Sequence, residues 1–168
     1  ALRGGCLRCH GRARGAGYER TRTARDPRVA LASEDVDGDV LGAPCGAHPG
    51  ASGQEVDAAD PELGTPDHAL VVASSTMLGS GYYLAPEEVV FLHSATTGDV
   101  NARVRADLIF FETRAGGAVF STGSIAWGAA MAAEQGRTDV GRLTENISRR
   151  FADPEPFALP SSVPAGDV

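Results

Sequence analysis

Three cysteines and two histidines near the start of the chain are the side chains with the most direct metal chemistry. Cys6, Cys9 and His10 have the C-x-x-C-H spacing by which c-type haem is attached through two thioethers and an axial histidine. Alternatively, Cys6, Cys9, Cys45 and His48 would supply three thiolates and one imidazole, which is a zinc ligand set. No apolar residues surround either half, so we favour chance placement in an irregular arm. A non-enzymatic zinc- or haem-binding module is kept as the alternative function.

A carboxylate follows closely on a loop of small residues. The loop Gly-Ala-Ser-Gly at positions 50–53 is followed by Glu55 and Asp57. Because glycine lacks a side chain, such a loop lets the backbone approach a ligand closely. Glu55 could then act as a base or nucleophile on that ligand. The competing interpretation is that Glu55 and Asp57 are solvated loop residues.

Other polar groups offer weaker chemistry. Tyr82 and Tyr83 could bind ferric iron as phenolates, but adjacent side chains of an extended chain point in opposite directions, so packing is the better interpretation. Residues 120–127 read as a strand–turn–helix junction, whose backbone N–H groups could bind an oxyanion. His68 and His93 have no partner at catalytic spacing. None of these groups identifies a reaction by itself.

The elements that must position these residues lie mainly in the second half of the chain. Apolar runs rich in β-forming residues predict strands near 69–74, 88–93, 106–112 and 118–121. Gly116-Gly117 lies between the last two, which predicts an antiparallel hairpin. A short strand over Val29–Ala32 is also expected after the turn signal Asp26-Pro27.

Two helices are predicted after the strands, near residues 125–134 and 139–151. Thr138 or Asp139 can cap the second helix, and Asp153-Pro154 ends it. Its apolar residues recur on one face, at Val140, Leu143, Ile147 and Phe151. The strands and helices together predict an α/β three-layer domain.

The charge is unevenly distributed along the chain. All 15 basic residues are arginines, the net charge is −7, and eight of the arginines lie between Arg3 and Arg28. A basic arm of this kind can bind nucleic acid. However, the arm has one aromatic residue and no known binding motif, and the whole chain is acidic, so we expect no nucleic-acid partner.

The remaining composition indicates a cytoplasmic protein. No apolar stretch approaches the roughly 20 residues of a membrane span, and no signal-peptide pattern is visible. Three cysteines do not make an even disulfide framework, which suits a reducing compartment. Because the first residue is Ala1 rather than Met, the chain is also interpreted as the end of a longer polypeptide.

Several motifs, in a fixed order, resemble the C-terminal part of the large (beta) subunit of N,N-dimethylformamidase-type amide hydrolases. The motifs are E-V-D at 55–57, L-G-T-P-D-H-A-L-V-V-A-S-S at 63–75, A-D-L-I-F-F-E-T at 106–113, the segment 116–127, and L-T-E-N-I-S-R-R-F at 143–151. The resemblance covers roughly residues 50–157. Before residue 50 the fit is weaker, and the cysteines at positions 6 and 9 have no counterpart in the family.

The resemblance implies a hydrolase that cleaves the C–N bond of small amides such as formamides. The family's large subunit contains an α/β domain similar to glutamine amidotransferases, with a flavodoxin-like fold, and a mononuclear iron held by two tyrosines and a glutamate. These ligands lie upstream of the resembling stretch, so no iron ligand is assigned to this chain. Glu55 is the residue expected to face the iron site. The partners implied are the remainder of the large subunit and a small subunit, and the isolated chain is expected to be inactive.

We therefore expect three regions. Residues 1–28 form an irregular arginine- and glycine-rich arm. Residues 29–153 form the C-terminal part of the α/β domain, which is a glutamine-amidotransferase-like domain incomplete in this chain. Residues 154–168, with four prolines, form a flexible tail.

Overall fold

The computed structural model describes residues 17–43, 50–53, 55–84, 91 and 93–163. These residues contain a five-stranded sheet and two α-helices. The strands are β1 (Tyr18–Arg20), β2 (Val40–Leu41), β3 (Leu70–Ser75), β4 (Ala106–Glu112) and β5 (Ala118–Ser121), and the helices are α1 (Ala126–Ala132) and α2 (Asp139–Ala152). The order is β2-β1-β3-β4-β5, and every neighbouring pair is antiparallel. The predicted mixed α/β class is confirmed.

The centre of the sheet is the meander β3-β4-β5. The observed bounds of β4 and β5 are the predicted ones, and β3 is shifted by one residue from the prediction. The predicted hairpin is confirmed, with Phe110 opposite Phe120 and a left-handed Gly116 in the turn. The strand predicted near 88–93 falls largely outside the described residues.

One face of the sheet packs against both helices. Since side chains alternate along a strand, Leu108 and Phe110 point to this face, whereas Ile109 and Phe111 point to the other. The buried core includes Tyr18, Leu41, Leu70, Val72, Leu108, Phe110, Trp127, Ala130, Val140 and Leu143. The opposite face is only partly covered, because Val71, Ile109 and Phe111 are half-buried and Val119 is exposed.

Helix α2 forms as its pattern predicts. The Thr138 hydroxyl accepts a hydrogen bond from the Gly141 N–H at 3.0 Å, and Val140 and Leu143 are fully buried. The helix is joined to α1 by the indole N–H of Trp127, which donates to Thr144 Oγ1 at 3.0 Å. Within the described part of the chain, no helix has the length and apolar content needed to cross a membrane.

The segment before the sheet differs from its prediction. Residues Pro27–Ser33 form a 3₁₀ helix, so the short strand expected over Val29–Ala32 is wrong. Asp26 accepts a hydrogen bond from the Arg28 N–H at 2.9 Å, and Pro27 suits the first helical turn, so capping decided the local structure. Arg28 then pairs with Glu112 at 3.0 Å, which ties this segment to β4.

The two ends of the described chain are more ordered than expected. Residues 1–28 were expected to be irregular, yet β1 lies within them and Arg22–Arg25 form a 3₁₀ helix. At the other end, the Phe157 N–H donates to the Gly116 carbonyl at 2.8 Å, and the Arg150 guanidinium lies 3.8 Å from the centre of the Phe157 ring. The tail is thus anchored to the sheet and to α2 at Phe157.

Candidate functional site

A cavity of about 690 Å³ lies beside the start of β4. Three segments line it: residues 55–60 with Leu63, residues 81–84, and residues 103–105. Glu55 is exposed at this cavity, so the carboxylate that the sequence singled out is accessible to a small molecule.

The carboxylate-bearing segment is held by backbone pairing with the β5–α1 turn and β4. The Asp57 N–H donates to the Gly123 carbonyl at 2.9 Å, and the Asp107 N–H donates to the Asp57 carbonyl at 3.0 Å. Val56 makes an isolated bridge with Ser124. Because both flanking backbones are bonded, the segment carrying Glu55 has a defined position on the sheet.

Gly123 is what allows this close approach. Its φ is +62°, and a Cβ at this position would lie 2.5 Å from the Asp107 carbonyl oxygen and 2.8 Å from that of Asp57. Side-chain contacts with the small-residue loop complete the junction: the Ser124 hydroxyl donates to the Gly53 carbonyl at 2.6 Å and accepts from the Gly53 N–H at 3.0 Å. The strand–turn–helix junction therefore binds a segment of its own chain.

Asp107 is a buried carboxylate at the base of this arrangement. It accepts hydrogen bonds from Ser74 Oγ at 2.7 Å, from the Ala59 N–H at 2.9 Å and from Arg105 Nε at 2.9 Å. Arg105 also donates to the Ala59 carbonyl at 3.0 Å. Asp107 and Arg105 together thus bind both the N–H and the carbonyl oxygen of Ala59.

The other wall of the cavity is formed by the tyrosines. Tyr82 is half-buried, and a Cβ on Gly53 would lie 3.1 Å from its hydroxyl. The small-residue loop therefore does permit a close approach to its backbone, but the group that approaches it is the Tyr82 phenol of the same chain. Tyr83 is exposed, and it lines the cavity together with Tyr82.

The cavity is predominantly acidic. Glu55, Asp57 and Asp60 line it together with Arg103 and Arg105, and Arg105 is already paired with Asp107. Within the described residues, no group of three or more His, Cys, Asp or Glu side chains is arranged to hold a metal ion. The cysteines and histidines of the alternative zinc or haem module, Cys6, Cys9, His10, Cys45 and His48, lie outside the described residues.

The two isolated histidines have local roles. His68 Nε2 lies 3.0 Å from the Glu112 carbonyl oxygen, and its ring meets Phe111 edge-on. His93 Nδ1 accepts from the Ala95 N–H and caps the 3₁₀ helix Ser94–Thr96. Neither histidine lines the cavity.

Sequence reasoning did not identify Asp107, Arg105, Gly123 or Ser124 as residues that position Glu55. One signal was available: Asp107 lies inside the apolar strand run A-D-L-I-F-F, where a charged residue is buried only when it is paired. Two of its three partners, Ser74 and Ala59, are 33 and 48 residues away in the chain, so spacing could not identify them.

Tyr18 is buried beside this junction, and its hydroxyl donates to the Thr122 carbonyl at 2.7 Å. Burial raises the pKa of Tyr18 well above its usual value of ~10. Above pH ~10 the unfolded chain therefore releases this proton while the folded chain retains it, so stability falls as the pH rises. At pH 7, Tyr18→Phe is expected to cost about 1–2 kcal/mol.

The difference in unfolding free energy between wild type and Tyr18→Phe is expected to shrink between pH 9 and pH 11. Urea unfolding at both pH values measures it, and titration of the other tyrosines cancels because both proteins share them. A difference that stays constant over this range would contradict the role of burial.

Comparison with known proteins was consistent with the sequence resemblance. Residues 8–140 match the family described as N,N-dimethylformamidase beta subunit-like, C-terminal. The chain is 34% identical over 137 residues to an N,N-dimethylformamidase beta subunit of Paracoccus aminophilus, a match that covers 81% of this chain and 18% of the relative. It is also 34% identical over 140 residues to an N,N-dimethylformamidase beta subunit of Alcaligenes sp, covering 79% of this chain and 18% of the relative. The chain thus spans about a fifth of the length of these relatives, and it belongs to the N,N-dimethylformamidase beta subunit-like, C-terminal family.

Proposed function

We propose that the chain is the C-terminal part of the large subunit of an N,N-dimethylformamidase-like hydrolase, which cleaves the C–N bond of small amides such as formamides. The family membership supports this function. The observation that supports a site in this chain is Glu55, an exposed carboxylate that lines the cavity. The backbone of its segment is hydrogen-bonded to the β5–α1 turn on one side and to β4 on the other.

In this proposal Glu55 acts as the general base. It takes a proton from water as the water oxygen bonds to the amide carbonyl carbon, and the proton is then passed to the nitrogen as the C–N bond breaks. The products are a carboxylic acid and an amine. Asp107 and Arg105 act as positioning residues, because they hold the backbone next to the carboxylate-bearing segment.

The iron expected from the resemblance is proposed to be bound outside this chain. Two of the three tyrosines do not fit it: Tyr18 is buried with a raised pKa, which opposes a phenolate ligand, and the Tyr82 hydroxyl lies against Gly53. No step of the reaction is therefore assigned to iron here. The remainder of the large subunit would hold it, and a small subunit is the further proposed partner.

We further propose that the five strands are the antiparallel edge of a larger three-layer, glutamine-amidotransferase-like domain. Large α/β sheets often carry antiparallel edge strands. The partly exposed apolar side chains of Val71, Ile109, Phe111 and Val119 support a layer on the second face that the described residues do not supply. A cytoplasmic location agrees with the odd number of cysteines and completes the proposal.

Glu55→Gln tests the proposal in a chimeric subunit, in which this chain replaces the matching segment of the Paracoccus aminophilus beta subunit. Release of dimethylamine from N,N-dimethylformamide is expected to fall at least tenfold in kcat, because a general base typically contributes more than this. Glu62→Gln is the control, since Glu62 is exposed in the same segment and does not line the cavity.

An active chimeric subunit whose Glu55→Gln variant retains more than half of the wild-type kcat would rule out the assigned base. Amide hydrolysis by the isolated chain would contradict the proposal that its site is incomplete.

A further inference from the structure

Large apolar side chains that are exposed to solvent lie in the cavity lining and in the chain segments that adjoin it. Leu63 is 76% exposed, Val100 64%, and Met77 and Tyr83 53% each. Scattered exposed apolar residues are common, but several on and beside one cavity indicate a binding surface. We call these four residues the apolar rim.

Backbone contacts connect the segments that carry these four residues. Leu63 and Tyr83 both line the cavity. The backbone of Tyr83 bridges to Thr97, whose carbonyl accepts from the Val100 N–H at 3.1 Å. Met77 precedes Leu78, and a Cβ on Gly98 would lie 3.0 Å from the Leu78 carbonyl oxygen, so this segment packs on the same turn.

The backbone conformation at Met77 points to the same conclusion. Its φ is +56°, a left-handed conformation that is uncommon for a residue with a long side chain. Its neighbour Leu78 is fully buried while Met77 is exposed. Residues in such sparsely populated conformations cluster at functional sites, and here the residue exposes an apolar side chain.

We propose that the apolar rim is the surface on which the remainder of the large subunit docks, so that the docked polypeptide closes the cavity over Glu55. This inference rests on the proposed function, because it identifies the occupant as the rest of that subunit. The relatives are about five times longer than the matched segment, so most of their length is available to cover the rim.

The charge of the cavity predicts the charge that the docked polypeptide must carry. Glu55, Asp57 and Asp60 line it together with Arg103 and Arg105, and Arg105 is already paired with buried Asp107. The carboxylates outnumber the arginines, so covering them with an apolar surface alone would be costly, since buried charges need partners. The docked polypeptide is therefore apolar around the rim and carries positive charge at the centre, from basic side chains or a bound cation.

The two methionines of the chain provide a matched test. Met77 belongs to the apolar rim, whereas Met131 is exposed on α1 in the helical layer and lines no part of the cavity. Both are oxidised by dilute hydrogen peroxide, and peptide mass spectrometry measures each rate in the isolated chain and in the chimeric subunit. Met77 is expected to react at least fivefold more slowly in the chimeric subunit, while Met131 changes less than twofold.

Two results would overturn the inference. One is a Met77 rate that is the same in both proteins, or a Met131 rate that slows equally. The other is a Met77 rate in the isolated chain that falls as its concentration rises, which would make a second copy of the chain the occupant. A chimeric subunit that protects Met77 but hydrolyses no amide would contradict the proposed function and support the docking surface. A chimeric subunit that hydrolyses amides but leaves Met77 reactive would contradict the docking surface and support the proposed function.

Discussion

Replacing Asp107 with alanine is expected to lower the free energy of unfolding by about 4 kcal/mol, in the range found when one partner of a buried ion pair is removed. The side chain of Asp107 is 1% exposed and accepts three hydrogen bonds, from Ser74, Ala59 and Arg105. Its loss would leave the guanidinium of Arg105 unpaired and release the backbone at residue 59. Urea unfolding of the wild-type chain and the variant at pH 7 measures the difference.

Glu145→Ala is the matched control for Asp107→Ala. Glu145 also pairs with arginines, Arg142 and Arg149, but it is 44% exposed on α2. Because exposed ion pairs are screened by water, this substitution is expected to cost at most ~1 kcal/mol. If the two variants lost equal stability, burial of Asp107 would not be the reason that its ion pair matters.

Replacing Gly123 with alanine is expected to cost about 3 kcal/mol. A left-handed conformation disfavours any residue with a Cβ by roughly 1–2 kcal/mol, and overpacking adds ~1–3 kcal/mol. Here the added Cβ would lie 2.5 Å and 2.9 Å from the carbonyl oxygen and nitrogen of Asp107, and 2.8 Å from the carbonyl oxygen of Asp57. All three are backbone atoms, which cannot move without breaking the pairing that holds the carboxylate-bearing segment.

Gly64→Ala separates the conformational cost of a Cβ at positive φ from the cost of overpacking. Gly64 also has a positive φ, of +102°, but a Cβ there meets nothing within 4 Å. Only the conformational cost of about 1–2 kcal/mol is therefore expected, measured by the same urea unfolding. Equal losses of unfolding free energy at Gly64 and Gly123 would show that the close approach of Gly123 to Asp107 and Asp57 adds nothing to the cost of the substitution.

The elements that sequence predicted well are those with strong local patterns. In β4 and β5, runs of β-forming residues flank a Gly-Gly turn, and both strands have the predicted bounds. Helix α2 has an apolar stripe and a Thr138 cap, and it extends one residue beyond the prediction. Where local signals were weak, the prediction failed: Val29–Ala32 has a strand-like composition, but the Asp26 cap on the Arg28 N–H, with Pro27 in the first turn, made it a 3₁₀ helix.

The strand β1 shows why the remaining elements could not be read from the chain. Tyr18–Arg20 is three residues long and lies in an arginine- and glycine-rich stretch without periodicity. It becomes a strand because it pairs with β2 on one side and β3 on the other. Tyr18 is then fully buried and contacts Trp127 edge-on, at 5.8 Å between ring centres. These contacts join residues that are far apart in sequence.

The amino-acid sequence by itself determined the family and the mixed α/β class and proposed Glu55 as a candidate, because motifs and periodic patterns are local properties of the chain. Only the tertiary structure decided what surrounds that carboxylate. It forms the cavity, binds the backbone of Ala59 to Asp107 and Arg105, and brings the backbones of Asp57 and Asp107 close to Gly123. Partners dozens of residues apart meet only when the sheet brings them together, and burial, which makes Asp107 costly to remove, exists only in the folded chain.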